Sequence, residues 1–442
     1  MSVPMIRKCY RSATPAPLAL KPVALIVQKY GGTSVADPER MRNVARHIAT
    51  SKAEGNQIVV VVSAMGKATD NLMELARQVS TAPPGREMDM LLTTGERISM
   101  SLLCMALQDL GVEAMSFTGS QVGIITDTVH GRAKILEIKG DRVREAISEG
   151  KVAVVAGFQG VSTEKEITTL GRGGSDTTAV ALAAALKADV CEIYTDVTGV
   201  FTADPRLVSQ ARKLKHLEFD EMLEMAGAGS KVLALRSVEF ARNHNVPIHV
   251  RSSFTWEQGT WVTSEERKGE KNMEDPIISG VVHDAGDAKI TVLGVPDQPG
   301  VSAALFEPLA NANVNVDMIV QNTSTAGTTD ISFTLPKTDV AIAQPIVEKI
   351  AKQVGASGVT QDTNIAKISL VGAGMKSSPG IAAKMFRVLA DNKVNIEMIS
   401  TSTIRISVVV AAPMLETAVR ALHTAFNLDS GEEYSAPLPE RK

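Results

Sequence analysis

Along the first half of the chain, short unbroken apolar runs alternate with stretches in which apolar residues recur every three to four positions. The run VALIV at residues 23–27 leads into QKYGGTSV and predicts a buried strand that stops at the glycine turn Gly31-Gly32, with Lys29 near its end. Helical spacing follows over residues 37–51, with Pro38 in the first turn, where its missing N–H removes no helical hydrogen bond. Residues 58–62, IVVVV, are wholly β-branched, the composition of a parallel strand covered on both faces. They run into a small-residue loop at 63–69. A long helix is predicted from Thr93-Thr94-Gly95-Glu96 to Leu110, then strands at 112–117 and 152–158 around a short helix at 142–149. A strand at 190–194, a helix from near Ser230-Lys231 to about residue 243, and a strand at 246–250 complete the unit. Such regular alternation predicts a doubly wound α/β sheet, which binds ligands at the carboxyl ends of its strands.

The pattern changes after residue 258. Residues 259–276 are charged and poor in helix signals and read as a linker. Beyond them lies an internal repeat: Pro299-Gly300-Val301-Ser302-Ala303 through Asn315-Val316-Asp317-Met318-Ile319 returns as Pro379-Gly380-Ile381-Ala382-Ala383 through Asn395-Ile396-Glu397-Met398-Ile399. The offset stays near 80 residues, with Phe306 on Phe386 and Leu309 on Leu389. Two small βαββαβ units packed on each other are expected.

Composition narrows the function classes. With 46 basic and 49 acidic residues among 442, nothing suggests a nucleic-acid surface. Cys9, Cys104 and Cys191 are far apart and form no CxxC pair, which fits a reducing cytoplasm and argues against zinc; no metal-ligand cluster is expected. No HExxH occurs, and His244 and His249 are off helical spacing for a shared metal. No apolar run approaches membrane-spanning length, so a soluble chain with no membrane partner is expected. Residues 1–22 carry Arg7, Lys8, Arg11 and Lys21 with no acid, but prolines at 4, 15, 17 and 22 spoil an amphipathic helix, and the segment reads as a disordered extension.

The densest candidate chemistry is TTLGRGGSDTTAVALAAAL at residues 168–186. Glycines 171, 173 and 174 let backbone N–H groups face a ligand, and the helix after them aims its positive end at the same spot. Arg172 offers a planar fork for a carboxylate or phosphate, and Asp176 can order a lysine or a magnesium ion. No GxxxxGK phosphate loop and no protein-kinase catalytic loop occurs. Asp176 replaces the third glycine of a dinucleotide fingerprint, and no Ser-His or Cys-His pairing stands out. What remains is Lys29, Lys231, Arg172 and acids at loop tips (Glu96, Asp176, Asp196, Asp204). This inventory suits phosphoryl transfer, in which a protein positions two anions and neutralises the charge between them.

KYGGTSV at 29–35, TTGE at 93–96, LGRGGSDTTAVALAAAL at 170–186, YTDVTGVFTADPR at 194–206 and GSKVL at 229–233 together resemble the aspartokinases of the amino-acid kinase family, and the tandem repeat resembles their paired ACT regulatory domains. The resemblance covers about residues 24–428. It implies an αβα sandwich with a mainly parallel central sheet (23–258), the linker (259–276), two ferredoxin-like βαββαβ ACT domains (277–365 and 366–430) and a tail (431–442). The implied reaction is ATP- and magnesium-dependent phosphorylation of the side-chain carboxylate of L-aspartate, the first step toward lysine, threonine and methionine. By resemblance, Lys29, Arg172 and Asp176 carry the chemistry. Gly31, Gly32 and Ser34 line the phosphate cradle, with Thr195, Asp196, Phe201, Asp204, Arg206 and Lys231 around the nucleotide. Thr69, Glu96, Arg172 and Ser175 hold aspartate, Glu96 on its ammonium, and Asp176 orients the lysines.

The same resemblance implies effector contacts at Asp297, Gln298, Gly300, Asn315, Asp317, Gln321, Asn395, Ser402 and Arg405, with lysine, threonine or both as inhibitors. Thr403 and Val301 stand where close relatives often carry acids. Pairing of the repeats across copies implies a homodimer, a higher oligomer or an assembly with a separately translated regulatory chain. A kinase acting on glutamate or acetylglutamate would share the fold without this ACT pair. A non-catalytic amino-acid sensor would keep the repeats while losing Lys29, Arg172 or Asp176.

Overall fold

The computed structural model describes residues 23–264, 278–322, 327–376, 378 and 380–429. The expected N-terminal extension, most of the expected linker, Pro379 and the C-terminal tail lie outside the described residues.

Eight strands form the central sheet in the order His216–Glu218, Thr260–Thr263, Ile248–Ser252, Val190–Thr195, Leu25–Tyr30, Gln57–Val62, Val152–Ala156 and Ala114–Phe117. Every neighbouring pair is parallel except Ile248–Ser252 with Thr260–Thr263. The period-2 pleat explains the unbroken β-branched runs, because alternate residues enter opposite cores. Val59 and Val61 pack with Val180 and Leu182 of the Gly174–Leu186 helix, whereas Ile58, Val60 and Val62 pack with Met41, Val44 and Ile48 of Pro38–Ala53 and Leu103 of Thr94–Asp109. Both faces are therefore dry, and the sheet is the centre of an αβα sandwich.

Four expectations need correction. By length and hydropathy the 25-residue stretch Gly85–Asp109 is apolar enough to cross a membrane. Here it packs as a core element, with Met100, Leu103, Cys104 and Leu107 against the sheet and Asp89 and Glu96 buried. The strand Thr260–Thr263 extends the central sheet past the expected boundary at 258: the Thr260 hydroxyl accepts the Val200 N–H (2.8 Å) and donates to the Leu214 carbonyl (2.6 Å), and the Trp261 ring stacks on His249. Lys231 does not start a helix. It lies in the turn between Phe219–Gly227, an element the hydrophobic pattern did not reveal, and Leu235–His244.

The fourth concerns the repeats. One regulatory sheet contains Ile319–Gln321, Thr328–Pro336, Asp287–Pro296 and Gly358–Asp362; the other contains Gly280–Asp284, Ile365–Val371, Arg405–Ala411 and Met398–Thr401. The strand Gly280–Asp284, on the first-repeat side of the expected 365/366 division, pairs antiparallel with Ile365–Val371 of the second. The second repeat thus borrows its edge strand from before the first, covering an otherwise open edge. Reciprocal ion pairs join the repeats: Lys289 to Glu397, and Lys367 to Asp317 and Asp287. Lys289 and Lys367 occupy matching places in AKI segments of the two copies, so the pairs follow from the repeat.

Candidate functional site

The carboxyl ends of Leu25–Tyr30, Gln57–Val62 and Val190–Thr195 lie side by side, and the sequence continues from each into a short loop. The Gly31 N–H donates to the Tyr194 carbonyl (3.3 Å), the Ser63 N–H to the Tyr30 carbonyl (3.1 Å) and the Gly66 N–H to the Gly32 carbonyl (3.0 Å), which ties the loops into one surface. A Cβ on Gly32 would stand 2.8 Å from the Ala64 carbonyl oxygen and 3.2 Å from that of Gly66. Only glycine allows this close approach. Ser34 meets the Ser253 hydroxyl at 2.5 Å.

At the centre, the Lys29 ammonium meets Asp176 Oδ1 at 2.6 Å, both side chains nearly buried. Lys29 sits one residue before the end of its strand, and Asp176 lies in the first turn of Gly174–Leu186. That helix start is brought over the strand ends by Gly171 and Gly173, both in left-handed backbone (φ 77° and 72°). Ser175 faces Gly157, just past the end of Val152–Ala156. Arg172 is exposed at the tip of the same turn. A second small sheet, Ile135–Ile138, Ile124–Thr126, Gln159–Ser162 and Ile167–Thr169, carries the chain into this turn. The buried Asp89 anchors it, accepting the Thr169 hydroxyl (2.6 Å) and the Gly131 N–H (3.1 Å) and contacting His130 Nδ1 (2.8 Å).

Glu96 is only 3% exposed. Its Oε1 accepts the Ala64 N–H (3.1 Å), while its Oε2 has no hydrogen-bond partner among the described residues. Burial pushes its carboxyl up to about 7, opposed by the backbone N–H groups of Glu96 and Ala64. An orphaned buried carboxylate oxygen is costly unless a cation or donor completes it. Thr69 is half-buried in the first turn of Ala68–Val79, at the end of the same loop.

Beside this centre opens a cavity of about 810 Å³. All six residues expected around a nucleotide, Thr195, Asp196, Phe201, Asp204, Arg206 and Lys231, line it. Arg206 grips Asp204 through Nε (3.0 Å) and Nη2 (2.7 Å), which holds the Asp204 carboxyl below its ordinary range. The wall also includes His283 and Asp284 from the regulatory strand, two residues that no local signal in the sequence marked. The cavity and the glycine cradle beside it fit a nucleoside polyphosphate. No group of three or more His, Cys, Asp or Glu side chains able to hold a metal occurs among the described residues.

The nine expected effector residues are not gathered in one place. Asp297, Gln298 and Gly300 form the turn after Asp287–Pro296, and Gln321 accepts the Ser302 hydroxyl (3.1 Å) at the neighbouring helix start. Asn315, Asp317 and Arg405 line a second cavity of about 630 Å³ between the catalytic and regulatory parts, whereas Asn395 is exposed. Asp317 is engaged by Lys367. Ser402 Oγ donates to Glu224 Oε1 (2.8 Å) and Arg405 Nη1 contacts Glu224 Oε2 (3.0 Å), so both grip the catalytic helix Phe219–Gly227.

Residues 24–252 match the amino acid kinase family, and residues 289–355 and 368–426 each match an ACT domain. An aspartokinase of Mycolicibacterium smegmatis is 56% identical over 414 residues, 93% of this chain and 98% of the relative. The crystal structure of E. coli aspartokinase III with aspartate and ADP, described as the R-state, superposes with a TM-score of 0.78 at 26% identity, covering 91% of this chain and 100% of that one. The T-state of that enzyme with lysine and aspartate gives 0.71, covering 91% and 99%. Sequence, domain order and fold agree, and the chain belongs to the aspartokinase family, amino acid kinases that carry paired ACT domains.

Proposed function

We propose that the chain transfers the γ-phosphoryl group of ATP to the side-chain carboxylate of L-aspartate, giving 4-phospho-L-aspartate and ADP, as a cytoplasmic first step toward lysine, threonine and methionine. The observation that carries this reading is the nearly buried Lys29–Asp176 pair beside the glycine cradle, flanked by the orphaned Glu96 oxygen and by the cavity that holds Lys231. A carboxylate is already ionised at neutral pH, so the reaction needs no general base. A carboxylate oxygen bonds to the γ-phosphorus as the bond from that phosphorus to the β,γ-bridging oxygen breaks, and ADP leaves with the electron pair. Magnesium supplies charge neutralisation on the phosphates.

The chain's own residues do the rest. Lys29 neutralises the transferring group while Asp176 fixes its ammonium. Gly31, Gly32 and Ser34 shape the loop that receives the phosphates. Thr195, Asp196, Phe201, Asp204, Arg206 and Lys231 hold the nucleotide. Glu96 takes the substrate ammonium; Arg172, with Ser175 and Thr69, orients its carboxylates. Lysine, threonine or both act through the ACT pair by favouring the less active arrangement. A dimer or larger assembly joined through the repeats fits this scheme.

The test is ATP turnover with L-aspartate and magnesium, trapping the acyl phosphate as its hydroxamate, with and without lysine plus threonine. Aspartate-dependent product that falls when the effectors are added is expected. Turnover with glutamate but not aspartate would sink the substrate assignment, and turnover indifferent to both effectors would sink the regulatory one. Gly32→Ala tests the cradle: a Cβ pressed against backbone carbonyl oxygens at 2.8 and 3.2 Å must reshape the loop. A loss of about 10- to 100-fold in kcat/KM for ATP is expected, as a misplacement of this size allows. An unchanged value would remove the loop from phosphate binding.

A further inference from the structure

The regulatory strand Gly280–Asp284 is built into the wall of the 810 Å³ cavity. At one end the Val281 N–H donates to the Thr202 carbonyl (2.7 Å), between the cavity residues Phe201 and Ala203. At the other, Gly229 stands two residues before Lys231 with φ 116°, and a Cβ there would lie 2.4 Å from the His283 carbonyl oxygen and 2.8 Å from Asp284 Cβ. The glycine of the GSKVL motif is thus required by the approach of this strand. Both catalytic-domain segments that line the cavity near Lys231 and Phe201 therefore rest on regulatory backbone.

The polarity of the cavity fixes which part of a ligand meets the strand. Thr195 and Asp196 continue from the Tyr194 carbonyl that accepts the Gly31 N–H, so the reacting phosphate must lie at that end. The nucleoside is left at the end walled by Val281, His283 and Ala285. His283 is half-buried there, with Asp204, Asp284, Lys231 and Arg206 as its charged neighbours. Burial lowers its pKa below the ordinary histidine range, so near pH 7 the ring is neutral and offers one donor and one acceptor.

We propose that His283, carried on the regulatory strand, contacts the nucleoside part of bound ATP and is a binding residue of the nucleotide site. This rests on the assignment of the cavity to the nucleotide. The strand also pairs with Ile365–Val371, so one strand belongs both to the cavity wall and to the second ACT sheet.

The experiment measures steady-state constants of the full-length chain for both substrates in Lys231→Ala, His283→Ala and His283→Gln. Lys231→Ala reports on the cavity alone, and it is expected to raise the KM for ATP. His283→Ala is expected to raise that KM about five- to twentyfold, the loss of one or two hydrogen bonds, with the KM for aspartate within twofold. His283→Gln, which keeps a polar end of similar reach, is expected to recover part of the loss, and it serves as the informative variant if the alanine form does not fold. An ATP KM untouched by either His283 variant, while Lys231→Ala raises it, would overturn the proposal and leave the cavity assignment standing. Equal rises in both KM values would overturn it in favour of a structural role. No effect of Lys231→Ala would overturn the cavity assignment and the proposal with it.

Discussion

Glu96→Gln is expected to give a protein that is more stable at pH 8 and much poorer at holding L-aspartate. Burial raises the Glu96 carboxyl to about 7, against a usual value near 4.5, so the folded chain keeps a proton that the unfolded chain releases between those values. The unfolded state binds fewer protons across this window. Stability contributed by Glu96 is therefore present below pH 4.5 and is lost as pH rises through about 7, to an upper figure of about 3 kcal/mol. Glutamine cannot ionise, and its amide oxygen can still accept the Ala64 N–H. The stability gain of the variant should be larger at pH 8 than at pH 5 by about 2 kcal/mol, read by denaturant unfolding at the two pH values. Function should move the other way, because the ammonium of aspartate needs the ionised form. Loss of a charge-assisted contact predicts a KM for aspartate raised about 10- to 100-fold with kcat less affected. In the parent enzyme that KM should climb as pH falls below about 7, and the climb should be absent in the variant. Equal stability gains at pH 5 and pH 8 would overturn the raised Glu96 carboxyl, and an unchanged aspartate KM would remove Glu96 from the ammonium site.

Lys29→Ala is expected to lower kcat about 100- to 1,000-fold with little change in the KM for aspartate. In the proposed reaction the Lys29 ammonium is a preorganised charge beside the transferring group, and removal of one such group costs this order of magnitude. The substitution also strips Asp176 of its partner at 2.6 Å while leaving the carboxylate nearly buried, so some loss of stability must accompany it. Lys29→Ala with Asp176→Asn separates the effects. If the Asp176 carboxylate acts only by holding Lys29, the double variant should regain stability but not turnover. Recovery of kcat in the double variant would mean that Lys29 serves the fold and not the reaction.

Six strands of the central sheet, in their order of appearance, and the segments that carry Lys29, Glu96, Asp176 and Asp196 follow from the sequence by itself, whereas the strands His216–Glu218 and Thr260–Thr263, the small second sheet and the turn at Lys231 do not. Buried parallel strands must be apolar on both faces, and the residues that interrupt those runs stand out as loop chemistry. The repeat was equally plain, because two copies of one unit share their proline-glycine turns and their strand patterns. Tertiary structure alone decided what those pieces meet. That Lys29 pairs with Asp176, 147 positions on, follows from strand order in the sheet, which local pattern does not encode. The borrowed strand Gly280–Asp284 was hidden because its pairing with Ile365–Val371 skips an entire domain, and so His283 and Asp284 gave no sign of lining the cavity. The family resemblance names Ser402 and Arg405 as effector contacts, and nothing local in the sequence shows that both also meet Glu224. Their grip on Glu224 depends on how two domains pack, a choice made by side chains about 180 residues apart.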